Sequence, residues 1–410
     1  MTTAPLSGVR VLDLTRVLSG PHCTRMLCDL GAEVIKLEPP EGDLTRFSYP
    51  RIGSMATYFA QQNAGKEDIS FDLSKPEAQE LTRQLADTCD VLVENFRPGV
   101  MAKLGLDYDE LMKRNPRLVI GSITGYGSTG PWVHRRAYAP LVGAETGFTL
   151  MQSRSHNGHI ANDWFSHADV YTGIECCVAI LAALVHRSQT GKGQHVEVSM
   201  AQTMLYVNEH AHDQMFEGEV PDGVIRSFEP GAYPVYKVGN GVSVIIGGHP
   251  AEKGVFASYL KAMNRPELAD DPRFVSQQDR LANLQQLGEV IGAWALTFPD
   301  AESLEVVLDK VGLVLGAIRT VNELSHTDWA KERNVVVEVS DRRDGKIRIP
   351  NAPWTFSAAE VRTKGEPKFR GEDNHSVLTR LLGATPEQLA TWDEQGVLSS
   401  RMPKPSSAVE

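Results

Sequence analysis

One carboxylate in the sequence stands where it could act as a nucleophile. Asp169 follows Ser166-His167-Ala168 and precedes a long apolar stretch that ends at Leu184. Apolar residues recur there at helical spacing on almost every side, and Thr172-Gly173-Ile174-Glu175 has the pattern of a capping box that opens the helix. The dipole of such a helix favours the ionised form of an acid at its N-terminal end. In a dry pocket that carboxylate can attack an electrophile, although an acid at this position can also serve only as a helix cap.

Two glycine-rich segments could approach a ligand closely. Residues 125–130 match the G-x-G-x-x-G pattern of dinucleotide-binding loops and follow a predicted strand. A dinucleotide loop must open a helix, and the residues after Gly130, which include His134-Arg135-Arg136, show no helical period. We therefore predict a loop whose glycines supply positive φ angles. Gly247-Gly248 follows another predicted strand and is either a tight turn or a mobile flap over a ligand.

The cysteines and histidines do not have the spacing of a metal site. Cys23 and Cys28 lack a second pair at zinc spacing, and the close histidine pairs lack acidic or cysteine partners. Five cysteines are an odd number, and Cys176-Cys177 fall within the apolar helix, which favours a reducing compartment over a disulfide framework. We predict no metal site.

Composition indicates a soluble globular protein with two domains or one large domain. The chain has 410 residues, 41% of them hydrophobic and 23% charged. A net charge of −11 argues against a general nucleic-acid partner, although local cations can still hold an anionic ligand. The first residues lack the basic and the long apolar regions of a secretory signal. An uninterrupted apolar run of about 18 residues, which would suggest a membrane span, is also absent from the sequence. We expect a cytoplasmic protein.

The first half of the chain alternates between predicted strands and helices. Six short β-type runs occur at residues 9–14, 33–37, 69–73, 90–94, 118–123 and 194–200. Pro21 suits the first turn of a helix that Gly31 ends, and Ser74-Lys75-Pro76-Glu77 has the pattern of a second capping box. This alternation predicts an α/β fold with a parallel sheet covered by helices on both faces.

The second half predicts a smaller domain and a return to the first. Residues 217–234 are rich in glycine, proline and charge and predict a linker, so that residues 1–216 form the N-terminal part of the large domain. Residues 235–330 predict a small α+β domain that opens with a hairpin turning at Gly239-Asn240-Gly241. β-type alternation at residues 335–356 predicts that residues 331–401 rejoin the large domain, and the tail 402–410 is predicted to be disordered.

Several stretches together resemble the family III coenzyme A transferases, which include formyl-CoA and carnitine-CoA transferases and the related α-methylacyl-CoA racemases. The resemblance covers about residues 6–356. It rests on the ordered set LSGVRVLDLTRV at residues 6–17 with Gly20-Pro21, LGAEVIKLE at 30–38, VENFRPG at 93–99 and TGKGQ at 190–194. It implies a Rossmann-like large domain built from both chain ends, a smaller middle domain, and an interlocked, ring-like homodimer.

The resemblance also implies roles for individual residues. Asp169 falls at the position of the family's nucleophilic aspartate, and Gly247-Gly248 resembles the glycine loop that covers it. The stretches that line the coenzyme A site of the family contain here Thr15, Arg16, Asn95, Phe96, Arg97, Lys103 and Tyr138. The cations among them suit phosphates. Coenzyme A and its thioesters are expected as substrates, with no permanently bound cofactor.

The racemase branch of the family uses a His–Asp pair for proton transfer, and this chain departs from it. The corresponding position reads Ala137-Tyr138-Ala139, without the histidine or its acidic neighbour. Because a base near neutral pKa is then missing, removal of the α-proton loses its main agent. His156, His159 or His167 could still supply one. Some transferases carry an acid where Ala139 stands, which leaves the substrate open.

The sequence thus predicts an acyl-CoA:carboxylate CoA-transferase that acts on an acyl-CoA donor and a carboxylic-acid acceptor through an aspartyl-CoA thioester on Asp169. Two alternatives stay open at this point. One is a racemase or epimerase of 2-methylacyl-CoA thioesters, and the other is a non-catalytic CoA-binding protein.

Overall fold

The computed structural model describes residues 3–153, 158–215 and 233–402. They fall into two compact units, of which the first comprises Met1–Ala211 and Asp328–Glu410 and the second comprises His212–Thr327. The sequence had placed the small domain at residues 235–330. Most of the predicted linker, at 217–232, and most of the predicted disordered tail, at 403–410, lie outside the described residues.

Thirteen strands and eighteen α-helices are found in the described part of the chain. In chain order the strands are β1 (Arg10–Asp13), β2 (Glu33–Glu38), β3 (Arg51–Ile52), β4 (Met55–Ala56), β5 (Glu67–Ser70), β6 (Val91–Glu94), β7 (Val119–Thr124), β8 (His195–Ser199), β9 (Val235–Lys237), β10 (Ser243–Ile246), β11 (Leu315–Ala317), β12 (Val336–Ser340) and β13 (Lys346–Pro350). The helices are α1 (Ser19–Asp29), α2 (Thr57–Asn63), α3 (Pro76–Asp87), α4 (Val100–Lys103), α5 (Tyr108–Arg114), α6 (Ala139–Glu145), α7 (Phe148–Gln152), α8 (His167–Thr190), α9 (Met200–Tyr206), α10 (Ala211–Met215), α11 (Lys253–Met263), α12 (Gln277–Ala282), α13 (Leu284–Ala295), α14 (Ala301–Asp309), α15 (Val321–Ser325), α16 (Asp328–Glu332), α17 (Asn374–Leu382) and α18 (Pro386–Glu394).

A six-stranded sheet lies at the centre of the first unit. Its order is β5-β2-β1-β6-β7-β8, and every neighbouring pair is parallel. Counted along the chain, this is the order third, second, first, fourth, fifth, sixth, which is that of Rossmann folds. All six predicted strands are therefore confirmed as members of one parallel sheet.

Helices cover both faces of the sheet, as strands buried on two sides require. On β1, Val11 points to a core that contains Leu27 of α1 and Ile180 of α8. Leu12 points to the opposite core, which α3, α5, α17 and α18 complete. Side chains that alternate along the strand therefore contribute to two separate hydrophobic cores.

The C-terminal segment of the chain returns to the β5 edge of the sheet. The amide of Asp373 donates to the carbonyl of Asp68, and the amide of Ser399 donates to the carbonyl of Ser70, both at 2.9 Å. Leu398 forms a β-bridge with Phe71. An unpaired edge strand exposes backbone groups that can pair with another chain. Here the C-terminal segment of the same chain forms hydrogen bonds with two of the β5 carbonyls.

Two details of the predicted elements were wrong. β5 ends at Ser70 and not at residue 73, because the Ser74 hydroxyl donates to Asp72 Oδ1 at 2.6 Å in a turn. The proposed capping box at Ser74 is therefore absent, and α3 begins at Pro76 without a side-chain cap. Proline has no backbone N–H, so at the first helical position it leaves one donor fewer to be capped. The start of α3 can therefore form without a side-chain cap.

The second unit contains an antiparallel three-stranded sheet in the order β9-β10-β11. The predicted hairpin is confirmed, with Val244 of β10 opposite Tyr236 of β9. Its apolar face packs on α11, α13 and α14, where Tyr259, Ile291 and Leu304 are fully buried.

Helix α8 has a buried face and an exposed apolar face. It packs on α1, β7 and β8, but Ile174, Val178 and Val185 are 38%, 54% and 60% exposed. The sequence had predicted a helix buried nearly all round. Its most apolar 18-residue window has a mean hydropathy of 1.8, so its length and composition alone would also allow a membrane span. Core helices of soluble proteins commonly meet the same criterion.

Candidate active site

The topological switch point of the sheet lies between β1 and β6: the strands that follow β1 in the chain are added on one side of it, and those from β6 onwards are added on the other. Ligands of doubly wound sheets bind beyond the carboxyl ends of the strands at this point. The chain leaves β1 through Arg16 and leaves β6 through Asn95. The Asn95 side chain joins the two exits, because its Oδ1 accepts from the Arg16 amide at 2.9 Å and its Nδ2 donates to the Arg16 carbonyl at 2.8 Å.

A cavity of about 560 Å³ opens at this edge of the sheet. Its lining includes Asp169 together with the residues Arg16, Asn95, Phe96, Arg97 and Tyr138, all of which the sequence had placed in the site. The cavity is also lined by residues that no sequence motif had indicated as site residues, among them Ser19, Leu44, Thr124, Tyr126, Arg135 and Arg136. The cavity thus joins a possible nucleophile to a group of cations.

Four predicted site residues, Thr15, Lys103, Gly247 and Gly248, do not line this cavity. Thr15 is fully buried below it and donates its hydroxyl proton to Asp13 at 2.5 Å. Lys103 is exposed at the end of α4. Gly247 and Gly248 follow β10 in the second unit, where Gly248 has a φ of +102°.

Asp169 lies in the first turn of α8, and the helix begins at His167, six residues earlier than the capping-box pattern predicted. Thr172 is inside the helix, where its hydroxyl donates to the Ala168 carbonyl at 2.5 Å. Burial raises the pKa of Asp169 to about 6, while the hydroxyl and amide of Ser19 act in the opposite direction. At neutral pH the carboxylate is thus mostly ionised and poorly hydrated, the state in which it is a competent nucleophile.

Ser19 reaches Asp169 because α1 and α8 cross closely. A Cβ atom on Gly173 of α8 would lie only 2.6 Å from the Ser19 carbonyl oxygen. Gly173, which the sequence pattern placed in a capping box, is therefore the residue at which α1 and α8 make close contact. Asn95 Nδ2 lies 3.3 Å from Ser19 Oγ and donates to it. The Ser19 proton is then free to point to the carboxylate.

Tyr58 of α2 also belongs to the surroundings of Asp169. Burial raises the pKa of Tyr58 to about 12, and the negative charge of Asp169 adds to the rise. Neither Tyr58 nor Ser19 stood in a chemical motif of the sequence. The only available signal for Ser19 was its place two residues before Pro21, at the predicted start of α1.

The loop at residues 125–130 forms one wall of the cavity. As predicted, it opens no helix, and Gly127 and Gly130 have φ angles of +95° and +86°. Arg135 stacks on Trp132 at 4.4 Å from the ring centre and forms an ion pair with Glu145. The run His134-Arg135-Arg136, which had served only to exclude a helix, therefore supplies cations to the site.

A buried ionic layer lies directly below the cavity. Lys66 Nζ lies 3.0 Å from Asp13 Oδ2, and Lys36 Nζ lies 3.2 Å from Asp43 Oδ2. Burial alone would raise the pKa of Asp13, but the two lysines and two hydroxyl groups lower it to about 2. Asp43 also accepts the Val17 amide at 3.2 Å and holds Val17 at a φ of +68°, a costly conformation for a β-branched residue. The layer thus fixes the loop that carries Arg16.

A family model described as CoA-transferase family III matches residues 6–374. The chain belongs to this family. The match spans the sheet, the cavity and the whole second unit.

Curated relatives of this CoA-transferase are similar over nearly their whole length. Acetyl-CoA:oxalate CoA-transferase of Acetobacter aceti is 34% identical over 93% of this chain and 97% of its own. Succinyl-CoA:glutarate CoA-transferase of Mus musculus is 31% identical over 92% and 86%. Formyl-CoA:oxalate CoA-transferase of Streptomyces coelicolor is 31% identical over 97% and 100%. The chain is an acyl-CoA:carboxylate CoA-transferase.

A solved structure supports the same assignment. The crystal structure of a CAIB/BAIF family protein from Brucella suis matches with a TM-score of 0.80 and 31% identity, covering 92% of this chain and 100% of that one. The chain therefore shares its mixed α/β fold with the Brucella suis protein.

Proposed function

We propose that Asp169 is the residue that carries coenzyme A during the transfer. The observation that supports this role most directly is its position in the cation-lined cavity at the topological switch point of the sheet. Arg16, Arg97 and Arg136 line that cavity and form no ion pair within the described residues. Unpaired guanidinium groups suit the phosphates of a coenzyme A thioester.

The reaction proceeds by two exchanges at the Asp169 carboxyl group. The carboxylate attacks the carbonyl carbon of the donor thioester, which forms a mixed anhydride and releases the CoA thiolate. The thiolate attacks the aspartyl carbonyl, which forms an aspartyl-CoA thioester and releases the donor acid. The acceptor carboxylate then attacks this thioester, and the returning thiolate takes the acceptor acyl group, which restores Asp169.

Ser19 stabilises charge during these steps. Its hydroxyl and amide already face the Asp169 carboxyl group, and the same donors suit the oxyanion that forms when the aspartyl carbonyl is attacked. Gly247 and Gly248 are proposed as a flap that keeps water from the thioester and the anhydride. We further propose Arg136 as a partner for the far carboxylate of a dicarboxylic acid, because the relatives named above act on oxalate or glutarate.

The carrier role is tested by trapping the intermediate. Purified protein incubated with a range of acyl-CoA donors should gain the mass of CoA minus water on Asp169, and hydroxylamine should convert this adduct to an aspartyl hydroxamate. Asp169→Asn should lose both signals, while Glu175→Gln, on the same helix but outside the cavity lining, should keep them. Absence of any adduct with a donor that is turned over would refute the mechanism.

A racemase activity is not favoured by the cavity. His167 pairs with Asp163 and stacks on Tyr171, but neither His167 nor His159 lines the cavity that holds Asp169. His156 lies outside the described residues. Incorporation of solvent deuterium at the α-carbon without CoA exchange would nevertheless establish the racemase, and indistinguishable acyl transfer by Asp169→Asn would favour a binding protein.

We also propose that two chains form an interlocked homodimer in the cytoplasm. Support comes from the family resemblance and from the apolar face of α8, which continues into an open groove with Leu205 and Tyr206 of α9. Apolar surface of this kind marks an interaction site.

A further inference from the structure

A second cavity in the first unit, of about 520 Å³, shares no lining residue with the cavity of Asp169. Five arginines line it: Arg46, Arg51, Arg343, Arg370 and Arg401. Glu41, which is exposed, is the one acidic residue that the structure places in the lining. The volume is within the range of small-molecule sites.

Among the residues that the structure describes, Arg46 is the one arginine of this cavity that forms ion pairs with carboxylates. Arg46 Nη2 lies 2.7 Å from Glu38 and 2.7 Å from Asp68, and its guanidinium stacks on Phe59 at 3.7 Å from the ring centre. The other four arginines form no ion pair with any residue in the described ranges. The cavity therefore carries a concentrated positive charge.

Neutral oxygen atoms hold three of the four unpaired guanidinium groups in place. Arg343 Nε donates to Ser54 Oγ at 2.8 Å, and Arg51 Nη1 donates to the Arg46 carbonyl at 3.1 Å. Arg370 Nη1 donates to Ser399 Oγ at 2.7 Å and to Ser70 Oγ at 3.2 Å. Such bonds orient the planar donors without cancelling their charge, which reduces the entropy lost when an anion binds.

Crowding of these like charges is unfavourable in the absence of an anion. Arg370 is 9% exposed, and burial first, then the nearby Arg46 and Arg401, lower its pKa while Glu38 and Asp68 raise it. The Arg401 amide also donates to the Arg370 carbonyl at 2.9 Å, which fixes the two residues side by side. An oxyanion between them would relieve the repulsion.

We infer that this arginine cavity binds a small organic polyanion carrying two or more carboxylate or phosphate groups, at a site separate from the coenzyme A cavity. The inference stands independently of the role proposed for Asp169. Aromatic side chains complete the wall, because Phe369 and the half-exposed Phe47 both line the cavity, so the ligand meets both charge and an apolar surface.

The test uses the full chain at about 0.15 M salt, with citrate and inorganic pyrophosphate as probes in calorimetric titrations. We expect at least one probe to bind, and the tighter of the two identifies carboxylate or phosphate as the preferred group. The double substitution Arg343→Gln with Arg401→Gln should weaken this binding at least tenfold. Glu41→Gln should strengthen it, because the one lining carboxylate is removed.

The control is Arg117→Gln, which removes an exposed cation of the same unit that lines neither cavity and should leave binding unchanged. Saturating CoA should not displace the probe. Failure of both probes to bind, displacement by CoA, or equal affinity in the double variant would overturn the inference.

Discussion

At the scale of single residues, the chemistry of the site depends on the surroundings of the Asp169 carboxyl group and on their effect on its pKa. Helix dipole and Ser19 favour the ionised form of Asp169, yet burial dominates and raises its pKa to about 6. A partly buried carboxylate of this kind lowers the stability of the folded state, but its weak hydration makes it a better nucleophile. The sequence located Asp169 because a known motif surrounds it, whereas Ser19 and Tyr58 come from α1 and α2, and no spacing along the chain predicts such contacts.

Ser19→Ala should shift the acidic limb of the rate profile to higher pH. The Ser19 hydroxyl stabilises ionised Asp169, so its loss raises the pKa of Asp169 further above 6. A hydrogen bond to a charged group contributes about 1.5 kcal/mol or more, which corresponds to a shift of about one pH unit. Transfer rates measured between pH 5 and 9 should fall most below pH 7 and recover partly above it. Ser188→Ala, on the exposed part of α8, should leave the profile in place; an unshifted limb in Ser19→Ala would show that the hydroxyl has no such role.

Asp169→Asn should make the protein more stable at pH 7 to 8, though inactive. The pKa of Asp169 is raised in the folded state, so ionisation stabilises the unfolded chain and the cost to the fold increases as the pH rises from 3.8 towards 6. An amide avoids this cost, by about 1 to 3 kcal/mol. Urea unfolding followed at pH 4 and at pH 8 should show a difference between wild type and variant only at the higher pH. Equal stability at pH 8 would contradict the burial argument.

At the scale of elements, the crossing of α1 and α8 positions the reactive groups. Strands could be predicted because each is a short apolar run of β-type residues between helices, and the sheet order follows from a Rossmann resemblance. The crossing could not be predicted, because Gly173 reads equally well as part of a cap. Only the packed structure shows that its missing side chain lets two backbones approach.

Gly173→Ala should separate α1 from α8 and reduce activity more than ordinary packing changes do. The added methyl group would lie 2.6 Å from the Ser19 carbonyl, a backbone atom that cannot rotate away. We expect a loss of about 1 to 3 kcal/mol in unfolding free energy, with a fall in kcat as Ser19 moves from Asp169. Gly288→Ala is the matched control, since its methyl group meets open space in α13 and should be neutral or stabilising. Wild-type behaviour of Gly173→Ala would show that the crossing tolerates adjustment.

At the scale of the whole molecule, the apolar face of α8 forms an open surface together with the groove beside α9. If two chains interlock there, separation requires partial unfolding, so dissociation and unfolding should coincide. Light scattering and analytical ultracentrifugation should therefore find a dimer that persists on dilution to nanomolar concentration. A stable folded monomer would refute the interlocked arrangement.

The covering of the β5 edge by the chain's end has a consequence for synthesis on the ribosome. Residues 373–399 complete a sheet whose strands are all made before residue 200. During translation β5 must stay unpaired on one side until residue 399 has been added, while the contiguous unit His212–Thr327 can fold in the interval. Messages truncated before codon 373 should therefore yield products that are captured by chaperones and aggregate, despite containing every strand of the sheet.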